Sequence, residues 1–85
     1  MNLNPTVEGL SASAKGPGMN RIEFSGGAQE YEIWRRHGDM VDWYLHATTA
    51  EQAFDDSGVT PGEYYEYKVR PVGGEFSPSV VVYGK

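Results

Sequence analysis

Cysteine is absent from this chain of 85 residues, which removes both a disulfide framework and a thiolate metal site. That absence fits any redox compartment but argues against a small, disulfide-stapled secreted scaffold. Basic residues are scarce, seven against twelve acidic ones, for a net charge of −5. A surface of that sign repels phosphate backbones and sets nucleic acid aside as a partner. No apolar run approaches the roughly 20 residues that cross a bilayer, so no membrane insertion is expected. The opening MNLNPTVEG has neither a basic start nor an apolar stretch, and no signal peptide is read there. An uninterrupted helical period is missing as well. The best candidate, TTAEQAF (48–54), is only seven residues long.

Eleven glycines, five prolines and many Val, Tyr and Thr residues are present instead. They favour short strands joined by turns. The length suits one domain with a packed core and little room for a deep, enclosed cleft. Residues 1–85 are therefore read as a single domain, with 1–5 as a loose N-terminal linker.

Alternation assigns the faces. Leu10, Ala12 and Ala14 share a side before the turn GPG (16–18). Ile22 and Phe24 point one way, Arg21 and Glu23 the other. After the loop SGGAQ (25–29), Tyr31 and Ile33 oppose Glu30, Glu32, Trp34 and Arg36. HGDM (37–40) reads as a hairpin connection into VDWYLHAT, where Trp43, Leu45 and Ala47 alternate and Trp43 covers the edge of the core. EQAFD is a short extended segment. In YYEYKVR, Tyr65, Tyr67 and Val69 alternate against Tyr64, Glu66, Lys68 and Arg70, and PSVVVYG closes the chain. Seven short strands separated by turns describe an all-β, antiparallel two-layer sandwich of immunoglobulin-like type.

Particular residues carry a resemblance to the fibronectin type III domain. DSGVTPGEYYEYKVRPV resembles that family's E–F corner and F strand, with Asp56, Val59, Pro61, Gly62, Tyr65, Tyr67 and Val69 in the characteristic places. AQEYEIWR (28–35) resembles its strand C, and FSPS (76–79) the run into strand G. Phe24 stands where the family usually has tryptophan, and the B–C connection is short, as in compact bacterial and phage versions. The resemblance implies three strands in one sheet and four in the other. Ile22, Phe24, Tyr31, Ile33, Val59, Tyr65, Tyr67 and Val69 are the expected core. It makes Tyr65 a corner tyrosine whose hydroxyl bonds to backbone a few residues upstream, and gives Asp56 a turn-stabilising role. It implies a non-catalytic module, a spacer or interaction scaffold within a larger cell-surface, secreted or virion protein. The expected partners are neighbouring domains, with the isolated domain a monomer.

The outward face of strands C′, C and F holds the candidate binding residues. Glu30 and Glu32 are expected near Arg70 and Lys68 as cross-strand charge pairs. Trp34, Arg36, Tyr44 and Tyr64 form an amphipathic patch of the kind that meets a protein or a glycan. A bulge in the hairpin would exchange Trp43 and Tyr44. His37 and His46 read as surface histidines without a third ligand, so no metal is expected. Asp55, Asp56 and Ser57 lack the ligand arrangement of a calcium loop. RRHGD (35–39) does not hold Arg, Gly and Asp contiguously. Ser11, Ser13, Ser25, Ser57, Ser77 and Ser79 show no nucleophile motif with a nearby base. Neither an enzyme nor a cofactor is expected.

Overall fold

The computed structural model describes residues 6–85. The expected linker, 1–5, lies outside the described residues. Seven strands follow in order: β1 (Val7–Gly16), β2 (Met19–Gly26), β3 (Tyr31–His37), β4 (Tyr44–Thr49), β5 (Ala53–Asp56), β6 (Tyr64–Pro71) and β7 (Val80–Tyr83). All pairings are antiparallel. Sheet order is β1-β2-β5 in one layer and β4-β3-β6-β7 in the other. No helix occurs among the described residues; the TTAEQAF stretch spans the end of β4, a bend and the start of β5.

The period of two fills the space between layers. Ile22 and Phe24 from β2 meet Tyr31 and Ile33 from β3 and Tyr65, Tyr67 and Val69 from β6, with Val7 and Val59 completing the buried set. Phe24 and Tyr31 meet edge to face at 4.9 Å. The Tyr31 hydroxyl accepts a hydrogen bond from Ala28 N at 2.9 Å, fixing the short β2–β3 connection. Gly26 beside it has no room for a side chain, because a Cβ there would lie 2.7 Å from that same hydroxyl. At the β5–β6 corner, Tyr65 accepts a hydrogen bond from Thr60 N at 2.6 Å. The ring packs inward while its oxygen holds the loop five residues upstream.

The chain traverses the sandwich lengthwise. Val7 pairs with Gly26 beside the β2–β3 connection. Gly84 exchanges backbone hydrogen bonds with Gly62 and Glu63 at the β5–β6 connection. The β1–β2 turn is at that second end too, since Val59 N donates to Gly18 O. The first strand therefore begins at one pole of a body 45 × 24 × 17 Å in extent, and the last strand ends at the other.

One register shift alters the expected faces. In the β3–β4 ladder Ile33 opposes Ala47, but Trp34 opposes Leu45, leaving His46 as an extra residue. A bulge of this kind reverses the parity of what lies beyond it. Leu45, expected to alternate with Ala47 on the core side, is 48% exposed on the outside. Trp43 also lies outside, and Tyr44 turns toward the seam between the sheets. The bulge has a second effect, because an irregular edge strand is a poor template for adding another chain.

Candidate functional site

The outer faces of the two sheets differ sharply. On the three-stranded sheet, Ser11, Ser13, Lys15, Glu23, Ser25 and Asp55 are exposed, and Arg21 is tied to Glu23 and Asp55 at 2.9 Å each. That is an ordinary solvated surface. Among the described residues, all the exposed large hydrophobic ones, Met40, Val41, Leu45, Val72, Phe76, Val81 and Tyr83, belong to the four-stranded sheet or its connections. Between them runs an alternation of rings and cations. Arg36 stacks on Trp43 at 4.6 Å, and Lys68 approaches that ring at 4.5 Å. Lys68 also sits 4.0 Å from the Phe76 ring, which Arg70 meets at 4.6 Å. Arg70 in turn faces Trp34 at 5.6 Å, and Trp34 meets Phe76 edge to face. Each cation–π contact at a partly exposed site contributes about 0.5–1 kcal/mol.

Two carboxylates frame this row. Glu32 accepts from Trp34 Nε1 at 2.9 Å and from Arg70 Nε at 2.7 Å, and those two bonds hold its pKa below the usual carboxylate range. Glu66 accepts from Arg36, Tyr64 and Ser79. Burial pushes its pKa up, but the three donors outweigh burial and lower it. Lys68 opposes Trp34 in the ladder and has no ion-pair partner among the described residues. Burial lowers its pKa first, and repulsion from Arg36 and Arg70 lowers it further. Three of the seven basic residues, Arg36, Lys68 and Arg70, thus share the face with two of the twelve acidic ones. These five residues sum to +1, and the exposed acids Glu30, Asp39, Asp42 and Glu75 border them at the strand end and in the connections.

Of the residues singled out from sequence, Trp34, Arg36 and Tyr64 lie together on this face. Tyr44 does not, which is a correction. The bulge at His46 turns its ring inward, where its hydroxyl takes a hydrogen bond from Arg35 Nε. Trp43, expected over the core edge, takes the outer place. Of the expected charge pairs, Glu32–Arg70 forms, whereas Glu30 has no ion-pair partner among the described residues. Phe76 was missed because it lies in a loop, where alternation gives no face.

A second polar cluster lies inside the seam. Asp56, 2% exposed, accepts from Arg35 Nη1 and from the Tyr67 hydroxyl, each at 2.6 Å, and lies 3.0 Å from His46 Nε2. Asn20 Nδ2 donates to Tyr67 at 3.1 Å, and Asn20 Oδ1 has no partner. Burial drives the Asp56 pKa up, yet the bonds from His46, Tyr67 and Arg35 outweigh burial and hold it far below the ordinary carboxylate range. Tyr67 is pushed the other way, by burial and by its bond to that carboxylate. Asp56 therefore does more than stabilise its turn, where only a 3.5 Å contact from Gly58 N reaches it. His46, read as an outward surface residue, faces this buried acid instead. Arg35, His46 and Tyr67 all reach from the four-stranded sheet to a carboxylate at the end of β5 in the other, which makes the cluster a fastener between layers. No group of three or more His, Asp or Glu residues among the described residues is arranged to hold a metal ion.

No protein-family model matches this chain, and no curated protein matches it. Among solved structures it is similar to the FN5 domain of Drosophila Lar, with a TM-score of 0.76 at 15% identity, covering 92% of each chain. Together with seven antiparallel strands in two layers of three and four, this establishes a fibronectin type III fold.

Proposed function

We propose that this domain is a non-catalytic module that spaces and supports other parts of a larger surface, secreted or virion protein. Such a fold suits scaffolding or interaction, although fold alone does not assign a role. One observation carries the reading. The first strand begins at the pole marked by Gly26, and the last strand ends at the opposite pole, against Glu63. A module so arranged adds its 45 Å long dimension to a string of domains instead of folding its neighbours back on one another. The inner cluster supports a structural role, since Asp56 and His46 are committed to joining the sheets.

The test uses the parent protein. Replacing this module with an unrelated rigid domain of equal length should preserve activity, whereas deleting it should not. Loss of activity on replacement would overturn the spacer reading.

A second reading is favoured by the difference between the two outer faces: the four-stranded face, with Trp34, Trp43, Arg36, Tyr64 and Lys68, is a binding surface. Isolated exposed apolar residues are common. Among the described residues, seven on one sheet and its loops, with none on the other, are the pattern of an interaction surface. In the parent protein, Trp43→Ala should then impair activity while leaving the melting temperature of the isolated domain nearly unchanged.

A further inference from the structure

We propose that the four-stranded face binds an acidic, extended segment of a partner protein, with carboxylates seated on Lys68 between Trp43 and Phe76 and on neighbouring Arg70. The inference rests on the second reading above and names the chemistry of its partner.

Charge is the first argument. Arg36, Lys68 and Arg70 form a row of three cations at the centre of the face, and the exposed acids Glu30, Asp42 and Glu75 border it. An acidic segment is attracted to this row and repelled by the acids on either side of it, which fixes orientation as well as contact. Lys68 is the focus. Its ammonium forms no ion pair among the described residues, stands between two aromatic rings at 4.5 and 4.0 Å and feels repulsion from Arg36 and Arg70 above the attraction of Glu66. An incoming carboxylate relieves that like-charge crowding.

Spacing is the second. Lys68 and Arg70 are two apart on β6, so their Cα atoms are separated by about 6.6 Å. Alternate side chains of an extended peptide have the same repeat. With cations over their faces, Trp34 and Trp43 offer only their ring edges as apolar contact to the residues beside each acid.

Two alternatives fit less well. Neutral sugars stack on open ring faces, but Arg36 and Lys68 lie against Trp43, and Lys68 and Arg70 against Phe76. Strand addition at β4 is discouraged by the bulge at His46.

Trp34 and Trp43 are the chain's only two tryptophans, and both lie on this face, so intrinsic fluorescence reports it directly. The probe is a short peptide with Glu at alternate positions, compared with its Lys counterpart, a neutral chito-oligosaccharide and a heparin oligosaccharide. The acidic peptide should change the emission, with affinity falling as salt rises. Lys68→Gln, checked for folding by its melting curve, should weaken binding at least roughly tenfold, about 1.4 kcal/mol, while Lys15→Gln on the other sheet should not. No response to the acidic peptide, or an equal response in Lys68→Gln, overturns the proposal. A response to the chito-oligosaccharide or the Lys peptide alone, lost in Trp43→Ala, overturns the acidic partner but keeps the binding face. A response to heparin alone overturns the protein partner. Concentration-dependent sedimentation of the free domain, abolished by Lys68→Gln, assigns the face to a second copy and also overturns the proposal. Silence to every probe removes both the proposal and the reading beneath it.

Discussion

Arg35 on β3 and Asp56 at the end of β5 meet at 2.6 Å across the seam of the sandwich, one from each sheet. The guanidinium is 11% exposed and the carboxylate 2%. Arg35 also lies over the rings of Tyr44 and Tyr65, at 5.4 and 5.3 Å. The two sheets are thus joined by charge where most of their contact is apolar.

Asp56→Asn should be among the most damaging single changes. It leaves the Arg35 cation without its counter-charge in the seam, and breaking such a pair costs about 3–5 kcal/mol. A domain of this length has about 4–13 kcal/mol in total at 0.05–0.15 per residue. Urea unfolding monitored by circular dichroism should show a large drop in midpoint. A midpoint shift equivalent to less than about 1 kcal/mol would show the pair to be dispensable.

The same carboxylate sets the acid limit. Burial raises its pKa, and bonds from His46, Tyr67 and Arg35 lower it by more, so in the folded state it titrates below its unfolded value of about 3.9. The unfolded chain then takes up the proton first. The associated stability is present above about pH 4 and is lost as pH falls below that value. Glu32 and Glu66 act in the same direction, less strongly where solvent reaches them. Melting temperature should decline steeply below about pH 4 in the parent and more gently in Asp56→Asn. Parallel curves would remove Asp56 as the controlling group.

Tyr65→Phe isolates the corner hydroxyl. Thr60 N loses its acceptor while the ring remains, and the expected cost is about 1–2 kcal/mol. Binding to any probe of the outer face should be unchanged, because Tyr65 is 3% exposed on the inner side. Differential scanning calorimetry gives the answer, and an unshifted transition would deny the bond its role.

Gly84→Ala tests a close approach. A methyl at this position runs into the carbonyl of Thr60, where Gly84 bonds to Gly62 and Glu63. The end of β7 should loosen, seen as faster amide exchange at Gly62 and Gly84 with little change at Ile33. Gly27→Ala, with nothing within 4 Å of the added carbon, is the neutral comparison. Equal exchange in both variants would contradict the packing at this corner.

Much of the fold was legible because two-residue alternation is strong in β2, β3 and β6, where inner and outer chemistry differ plainly. Ile22, Ile33 and Val69 are fully buried for that reason. The outer site was read less well. Alternation assumes an unbroken ladder, so one extra residue at His46 exchanged Trp43 and Tyr44. Phe76 lies in a connection whose shape depends on Ser77 bonding back to Val69. The seam cluster joins residues 21 and 11 positions apart, beyond any local pattern. One signal was available: Arg35 shares parity with Tyr31 and Ile33, so a cation was due on the inner side and required an acid from the opposite layer.

The opposed poles bear on how tension would travel through the molecule. Force drawn through the start of β1 and the end of β7 acts along those strands, while their antiparallel hydrogen bonds to β2 and β6 run across it. The load then falls on several bonds in shear at once, instead of peeling them singly. A module built this way resists stretching far better than one whose ends leave side by side.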